Sequence, residues 1–242
     1  MTFFFKRSVV TLDCFTSNPA AYELSKPDHA IKFVPDWWKR LPSHFVEKEN
    51  IYQNPTMKGC EGFRGMFLNG VMIPLWSDLI LEVGPKETDY YRWQFSDGVS
   101  SITIHPFTQM GNFLSIKEVQ HFKLSCPWSF RCKDDVKWAW IDPAWANIDS
   151  NDYRILPGVV SFNIPLQGNI NLFVYRTNKT KTIKLNFGQS VSQLMPMTEK
   201  KLKIKHHLVS KDEHEKLVMF ANPVVFYKRY TTVKNFLRKK SV

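Results

Sequence analysis

Between Val71 and Met195 the chain breaks into short apolar or alternating runs separated by turn residues. That texture points to a β-rich fold. Residues 71–83 form one buried strand, or two broken at Pro74. Residues 90–95 and 99–104 follow, with Ser96-Asp97-Gly98 as the turn between them. Runs 119–124, 136–141, 169–175, 182–187 and 190–195 continue the series, and Gly188-Gln189 stands in hairpin position between the last two. Lys200-Lys201-Leu202-Lys203-Ile204-Lys205 alternates charged and apolar residues, as a strand with one solvated face does.

Helix signals flank this series. Residues 2–15 hold a strand. Pro35-Asp36-Trp37-Trp38-Lys39-Arg40-Leu41 then reads as a short helix started by Pro35 and stopped by Pro42. Thr56 caps a second helix running to about Asn69, with Gly70 as its left-handed end. Phe226, Tyr230, Val233 and Leu237 share one face of a C-terminal amphipathic helix. The expected fold is mainly β within an α+β class: a single domain over 1–242 with a sandwich-like antiparallel sheet. Helices lie in its N-terminal part, and residues 199–242 form a basic extension ending in a helix.

Composition sets limits on the function. Hydrophobic residues make up 43% and charged residues 23%, too apolar for a disordered chain. The most apolar stretch, 71–83, is too short and too interrupted to span a bilayer, so no membrane partner is expected. At the start, Phe3-Phe4-Phe5 precedes Lys6-Arg7, the reverse of a secretion signal. None of Cys14, Cys60, Cys126 and Cys132 forms a Cys-x-x-Cys pair, which argues for reduced thiols rather than a metal site. Cys126 and Cys132 can meet across a turn.

The formal charge of +11 is uneven, because residues 199–242 hold 12 basic and 4 acidic side chains. A solvated surface accounts for this. So does contact with nucleic acid or another polyanion through Lys228, Lys234, Arg238, Lys239 and Lys240.

No phosphate loop, His-Glu-x-x-His, Gly-x-Ser-x-Gly or kinase motif is present. Individual residues can still carry chemistry. His105 ends a strand before Pro106, where a base, a ligand-binding group or a turn-stabilising imidazole are all reasonable. Asp78 lies in an apolar run and needs a partner if buried. Asp142 precedes Pro143 at a turn start. Trp138 and Trp140 share a strand face and serve as core or as a stacking platform beside Trp128, Phe130 and Trp145. His206, His207 and His214 have no diagnostic metal spacing, and no metal or cofactor is expected.

Two segments carry a partial resemblance. Pro157-Gly158-Val159-Val160-Ser161 leads into Gly168-Asn169-Ile170-Asn171-Leu172, and Gly188-Gln189-Ser190-Val191-Ser192-Gln193-Leu194 follows. Over residues 157–197 this resembles two consecutive motifs of the dUTPase and dCTP-deaminase superfamily, which implies a β-clip-like arrangement. Where those enzymes place the aspartate that activates water, this chain has Ser161, so the resemblance argues against their usual hydrolysis.

More of the chain is similar to an uncharacterised family encoded by tailed bacteriophages, especially marine ones. Phe33-Val34-Pro35-Asp36-Trp37-Trp38-Lys39, Thr56-Met57-Lys58-Gly59-Cys60, Ile73-Pro74-Leu75-Trp76-Ser77-Asp78 and Leu156-Pro157-Gly158-Val159-Val160 carry that similarity. It implies a viral protein in the host cytoplasm or in the virion, with a homo-oligomer or a phage or host protein as partner. Three readings follow. The first is a non-catalytic binding or assembly protein. The second is a nucleotide-binding or nucleotide-hydrolysing enzyme using His105, Asp142, Ser161 and Gln193. The third is a nucleic-acid binder using the basic C-terminus.

Overall fold

Strand alternation begins at the first described residue. The computed structural model describes residues 9–46, 53–86, 88–105, 118–143, 145, 146 and 152–219. β1 (Val9–Thr16) buries Val10, Leu12, Cys14 and Thr16 and leaves Thr11, Asp13 and Phe15 half-buried. α1 (Pro19–Leu24) starts with a proline in its first turn, and the Asn18 side chain accepts the Ala21 N–H at 3.1 Å. β2 (Asp28–His29), α2 (Asp36–Arg40), β3 (His44–Val46) and β4 (Gln53–Pro55) follow.

The helix expected from Thr56 to Asn69 is two elements. Thr56 caps only a 3-10 turn, Met57–Gly59, and α3 (Glu61–Leu68) starts afresh after an extended Cys60. Glycines at 59, 62 and 65 weaken a continuous helix, and the break falls beside the first of them. Gly70 has a positive φ of 153°, which favours glycine, but α3 has already ended at Leu68 with Asn69 as its cap.

The expected strand 71–83 is two strands, β5 (Val71–Pro74) and β6 (Leu79–Val83). β7 (Tyr91–Phe95), β8 (Ile102–Ile104) and β9 (Val119–Arg131) come next. They are followed by β10 (Lys137–Ile141), β11 (Tyr153–Ile155), β12 (Gly158–Ser161) and β13 (Leu166–Tyr175). β14 (Lys181–Leu185), β15 (Ser190–Pro196), β16 (Lys201–Leu208) and α4 (Lys211–Met219) complete the described chain. The amphipathic helix expected around Phe226–Leu237, and the polyanion candidates with it, lie outside the described residues.

The strands form a β-rich α+β fold. One sheet has the order β11-β13-β9-β1-β16, with β8 also on β9. A second has the order β12-β10-β15-β5-β2, a third β14-β6-β7, and β3 pairs with β4. β9 organises the first sheet: it pairs with β13 along its length, and on its other side with β8 and then β1. Its alternate residues Phe122, Leu124, Cys126, Trp128 and Phe130 are buried in a core shared by the three large sheets. Most pairings are antiparallel. β1 and β16, however, run parallel from Val9↔Lys201 to Thr16↔Leu208.

Three local expectations change. Cys126 and Cys132 do not face each other across a turn, because Pro127–Arg131 continue β9, and both thiols are free and buried. Pro127 has no N–H for the ladder, and the β13 register shifts between Gln167 and Asn169 beside it. Gly188, at φ 77°, makes a tight turn, but β14 pairs with β6 while β15 pairs with β10 and β5. The turn therefore passes the chain between sheets rather than closing a hairpin. Asp78 is exposed, and its carboxylate accepts the Phe187 N–H at 2.7 Å across that junction.

A second, smaller core joins α2 and α3. Val34, Trp38 and Phe67 are buried there against Trp37, Met57, Phe63 and Trp145. The Trp37 indole N–H donates to the Trp145 carbonyl at 3.1 Å.

Candidate functional site

The four residues considered for nucleotide chemistry occupy separate places. His105 follows β8, and its backbone N–H donates to the His121 carbonyl at 3.2 Å. Its ring stacks on His121 with centroids 4.4 Å apart and planes 17° from parallel. His121 Nε2 lies 3.1 Å from Asn171 Oδ1, and the edge of Phe173 completes the cluster. Burial holds the His121 pKa below its ordinary value; the Asn171 bond opposes this, and His105 and Lys123 add to the depression.

Asp142 leaves β10 and turns toward β11, where its carboxylate accepts the Ile155 N–H at 3.1 Å. Burial pushes its pKa up, against the opposing pull of that bond and of Arg154. The neighbouring Tyr153 phenol is pushed up to about 12, first by burial and then by the Asp142 charge. The Gln189 amide N–H donates to the Tyr153 hydroxyl at 3.2 Å. This network fastens β11 to the turn before β15.

Gln193 is buried, and its amide donates to the Met66 carbonyl, tying β15 to α3. Ser161 sits opposite Lys137, while Gln193 sits opposite Ile141. Those positions are four residue steps apart along β10, about 13 Å at a typical rise. Gln193 and Asp142 are near in register, but they bond to different elements.

The other aromatic and histidine candidates have structural partners. Trp128 and Trp138 are fully buried and Trp140 is 8% exposed. His206 Nε2 lies 2.6 Å from the Pro27 carbonyl, His207 Nε2 2.8 Å from Asp13, and His214 Nε2 3.0 Å from Ser129 Oγ. Among the described residues no group of three His, Cys, Asp or Glu side chains could hold a metal ion. No helix there is long and apolar enough to cross a membrane.

A pocket of about 280 Å³ lies where the chain crosses from β11 to β12. Its walls are Leu156 and Pro157 from the crossing, Gly158 and Val160 from β12, and Gln167, Asn169 and Asn171 from β13. Trp140 and Phe162 are also part of the lining. The stretch 157–172, which carries the first part of the partial resemblance, therefore builds most of this pocket, yet neither Ser161 nor any residue of 188–194 lines it. Among the described residues no lining side chain is ionisable, and none carries a hydroxyl or thiol. The Trp140 indole N–H is buried and has no hydrogen-bond partner among the described residues.

Its place in the sequence was partly visible. Asn169 and Asn171 interrupt an apolar strand at alternate positions, the signature of polar groups sharing one side. What the sequence did not reveal is that β11 ends early, so that among the described residues this stretch of β13 has no strand on the flank opposite β9.

A larger groove of about 540 Å³ runs beside α4, lined by Phe15, Val209, Leu217, Arg131 and Lys216 among others. Glu213 also borders it, but that carboxylate accepts from the Ser210 backbone N–H at 3.0 Å, while Ser210 Oγ accepts the Glu213 N–H at 3.2 Å. This is a capping box, and Ser210-Lys211-Asp212-Glu213 announces it in sequence.

No family model, curated protein or solved structure matches this chain.

Proposed function

We propose that this is a phage-encoded binding or assembly protein that carries out no chemistry of its own. The phage origin rests on the resemblance of the segments around Trp37, Lys58, Trp76 and Gly158. The single observation that carries the non-catalytic reading is the pocket at the β11–β12 crossing. Its described lining consists of apolar and amide side chains, and among the described residues no acid, base or nucleophile faces it. Asp142 and Gln193, the polar residues that come nearest in register, are committed to bonds that hold β11 and α3.

Purified virions and a turnover assay over a panel of nucleotides test the reading together. Expected are the protein in particles or in a stable complex with a phage or host protein, and no nucleotide turnover. Catalytic hydrolysis of any nucleotide by the purified chain overturns it.

One observation favours a second reading, contact with a polyanion. Lys201, Lys203 and Lys205 are exposed at alternate positions along β16, an edge strand. Three such charges on a single strand of nucleic acid give a log–log salt slope of about −2. A slope near zero for DNA and RNA rejects it.

A further inference from the structure

Edge strands expose a row of unpaired backbone groups, and proteins usually blunt them with charge. β16 follows that rule with Lys201, Lys203 and Lys205. β12 does not. Its sequence is Gly158-Val159-Val160-Ser161, without a charge, and Val159 is 64% exposed.

The direction of its free backbone groups follows from its neighbours. Lys137 accepts a hydrogen bond from Met197 N–H, so the 137 and 139 positions of β10 bond toward β15. In an antiparallel ladder, alternate residues bond to opposite sides. Trp138 and Trp140 therefore bond to Val160 and Gly158, their partners on β12. The N–H and C=O groups of Val159 and Ser161 point away from β10, and among the described residues no strand pairs with them.

The pocket lies on the side-chain face of the same strand. Gly158 and Val160 line it, while Val159 projects to the opposite face. A residue added opposite Val160 would direct its side chain into the pocket. Across the pocket, among the described residues no strand lies on the flank of β13 opposite β9 before the point where the Leu156 N–H bonds to the Asn171 carbonyl.

We infer that the β12 edge and the adjoining pocket form a strand-addition site for an extended, uncharged peptide segment of a partner protein, which inserts one ring-sized apolar side chain between Val160 and Asn169. The uncharged lining selects an uncharged segment, and the volume suits one large side chain rather than a strand. A second copy of β12 is a poorer occupant, because self-pairing presents only glycine and valine to the pocket. The inference rests on the binding reading above and names the partner's chemistry.

The test uses the full chain and a capped pentapeptide, Ser-Thr-Phe-Thr-Ser, with Tyr, Trp or Leu as alternative central residues. Expected are peptide-induced shifts of the Val159 and Ser161 amide resonances and of the Trp140 indole resonance. Methylating the peptide backbone nitrogens abolishes them. Val159→Pro removes an outward N–H that β10 does not use, so it weakens binding at least tenfold. Val159→Thr binds as the parent does. If Val159→Pro does not fold, the methylated peptide decides alone.

The inference is overturned if no central residue produces these shifts at millimolar peptide, or if the methylated peptide binds equally. It is also overturned if the edge is taken by a dimer of this chain that Val159→Pro dissolves. Detection of the protein in virions is read separately, so a silent edge with a virion-bound protein removes this site and leaves the proposed function standing.

Discussion

Three buried or half-buried residues show how single side chains set this structure. The Gln193 amide bonds to the Met66 carbonyl from a fully packed position. Gln193→Ala leaves that carbonyl unpaired and lowers stability by about 1–3 kcal/mol, measurable by denaturant unfolding. Gly168 is pressed against β9: a Cβ there would sit 2.6 Å from Phe130 Cε2 and 3.0 Å from the Trp128 carbonyl. Gly168→Ala is expected to destabilise by about 1–3 kcal/mol through overpacking. Asp142 behaves differently, because its raised pKa means that folding favours the neutral acid. Its contribution is fully present below the ordinary value of 3.8 and is lost as pH rises through the higher folded value. Asp142→Asn stays neutral, so its melting temperature relative to the parent rises between pH 3 and pH 7. A constant difference across that range refutes this account. These roles were hard to see in the sequence. Gln193 and Asp142 stand beside strand ends where a site residue and a structural tie look alike, and only the bonded partner separates them.

The elements were more legible than their partners. Short apolar or alternating runs located β6, β10, β15 and β16, because a strand must bury one face or both. The same pattern is silent on which strand lies alongside. Gly188-Gln189 looked like a hairpin turn because the residues suit one, yet Asp78 and Leu75 hold it at a junction between sheets. The run 119–124 covers only the first half of β9, which continues through Pro127 to Arg131 with a register shift in β13 beside it. α4 begins with a capping box that the residue types announce. Ser210→Ala is expected to cost about 1 kcal/mol and to raise hydrogen exchange across 211–219 while leaving β12 unchanged. Protection lost equally throughout the chain would mean that α4 is not an independent edge of the structure.

Across the whole molecule, acid acts through two histidines held neutral by burial. His121 and His214 both have pKa values lowered first by burial; for His214, the Phe15 backbone and Glu215 oppose it. Depressed values contribute stability above the ordinary 6.5, which is lost as pH falls below it toward the lower folded values. Thermal midpoints should therefore decline from pH 7 to pH 5. The double substitution His121→Gln, His214→Gln should flatten that decline, and an unchanged slope would assign it elsewhere.

The pairing of β1 with β16 has a consequence for synthesis. At about 5–20 residues per second, the first strand leaves the ribosome roughly ten to forty seconds before its parallel neighbour. Until then the nascent β1 has an open flank and only a short antiparallel contact with β9. The final sheet can close only after nearly all of the described polypeptide has been made, so a chain stalled before Lys201 should be a client for chaperones rather than a smaller version of the native protein.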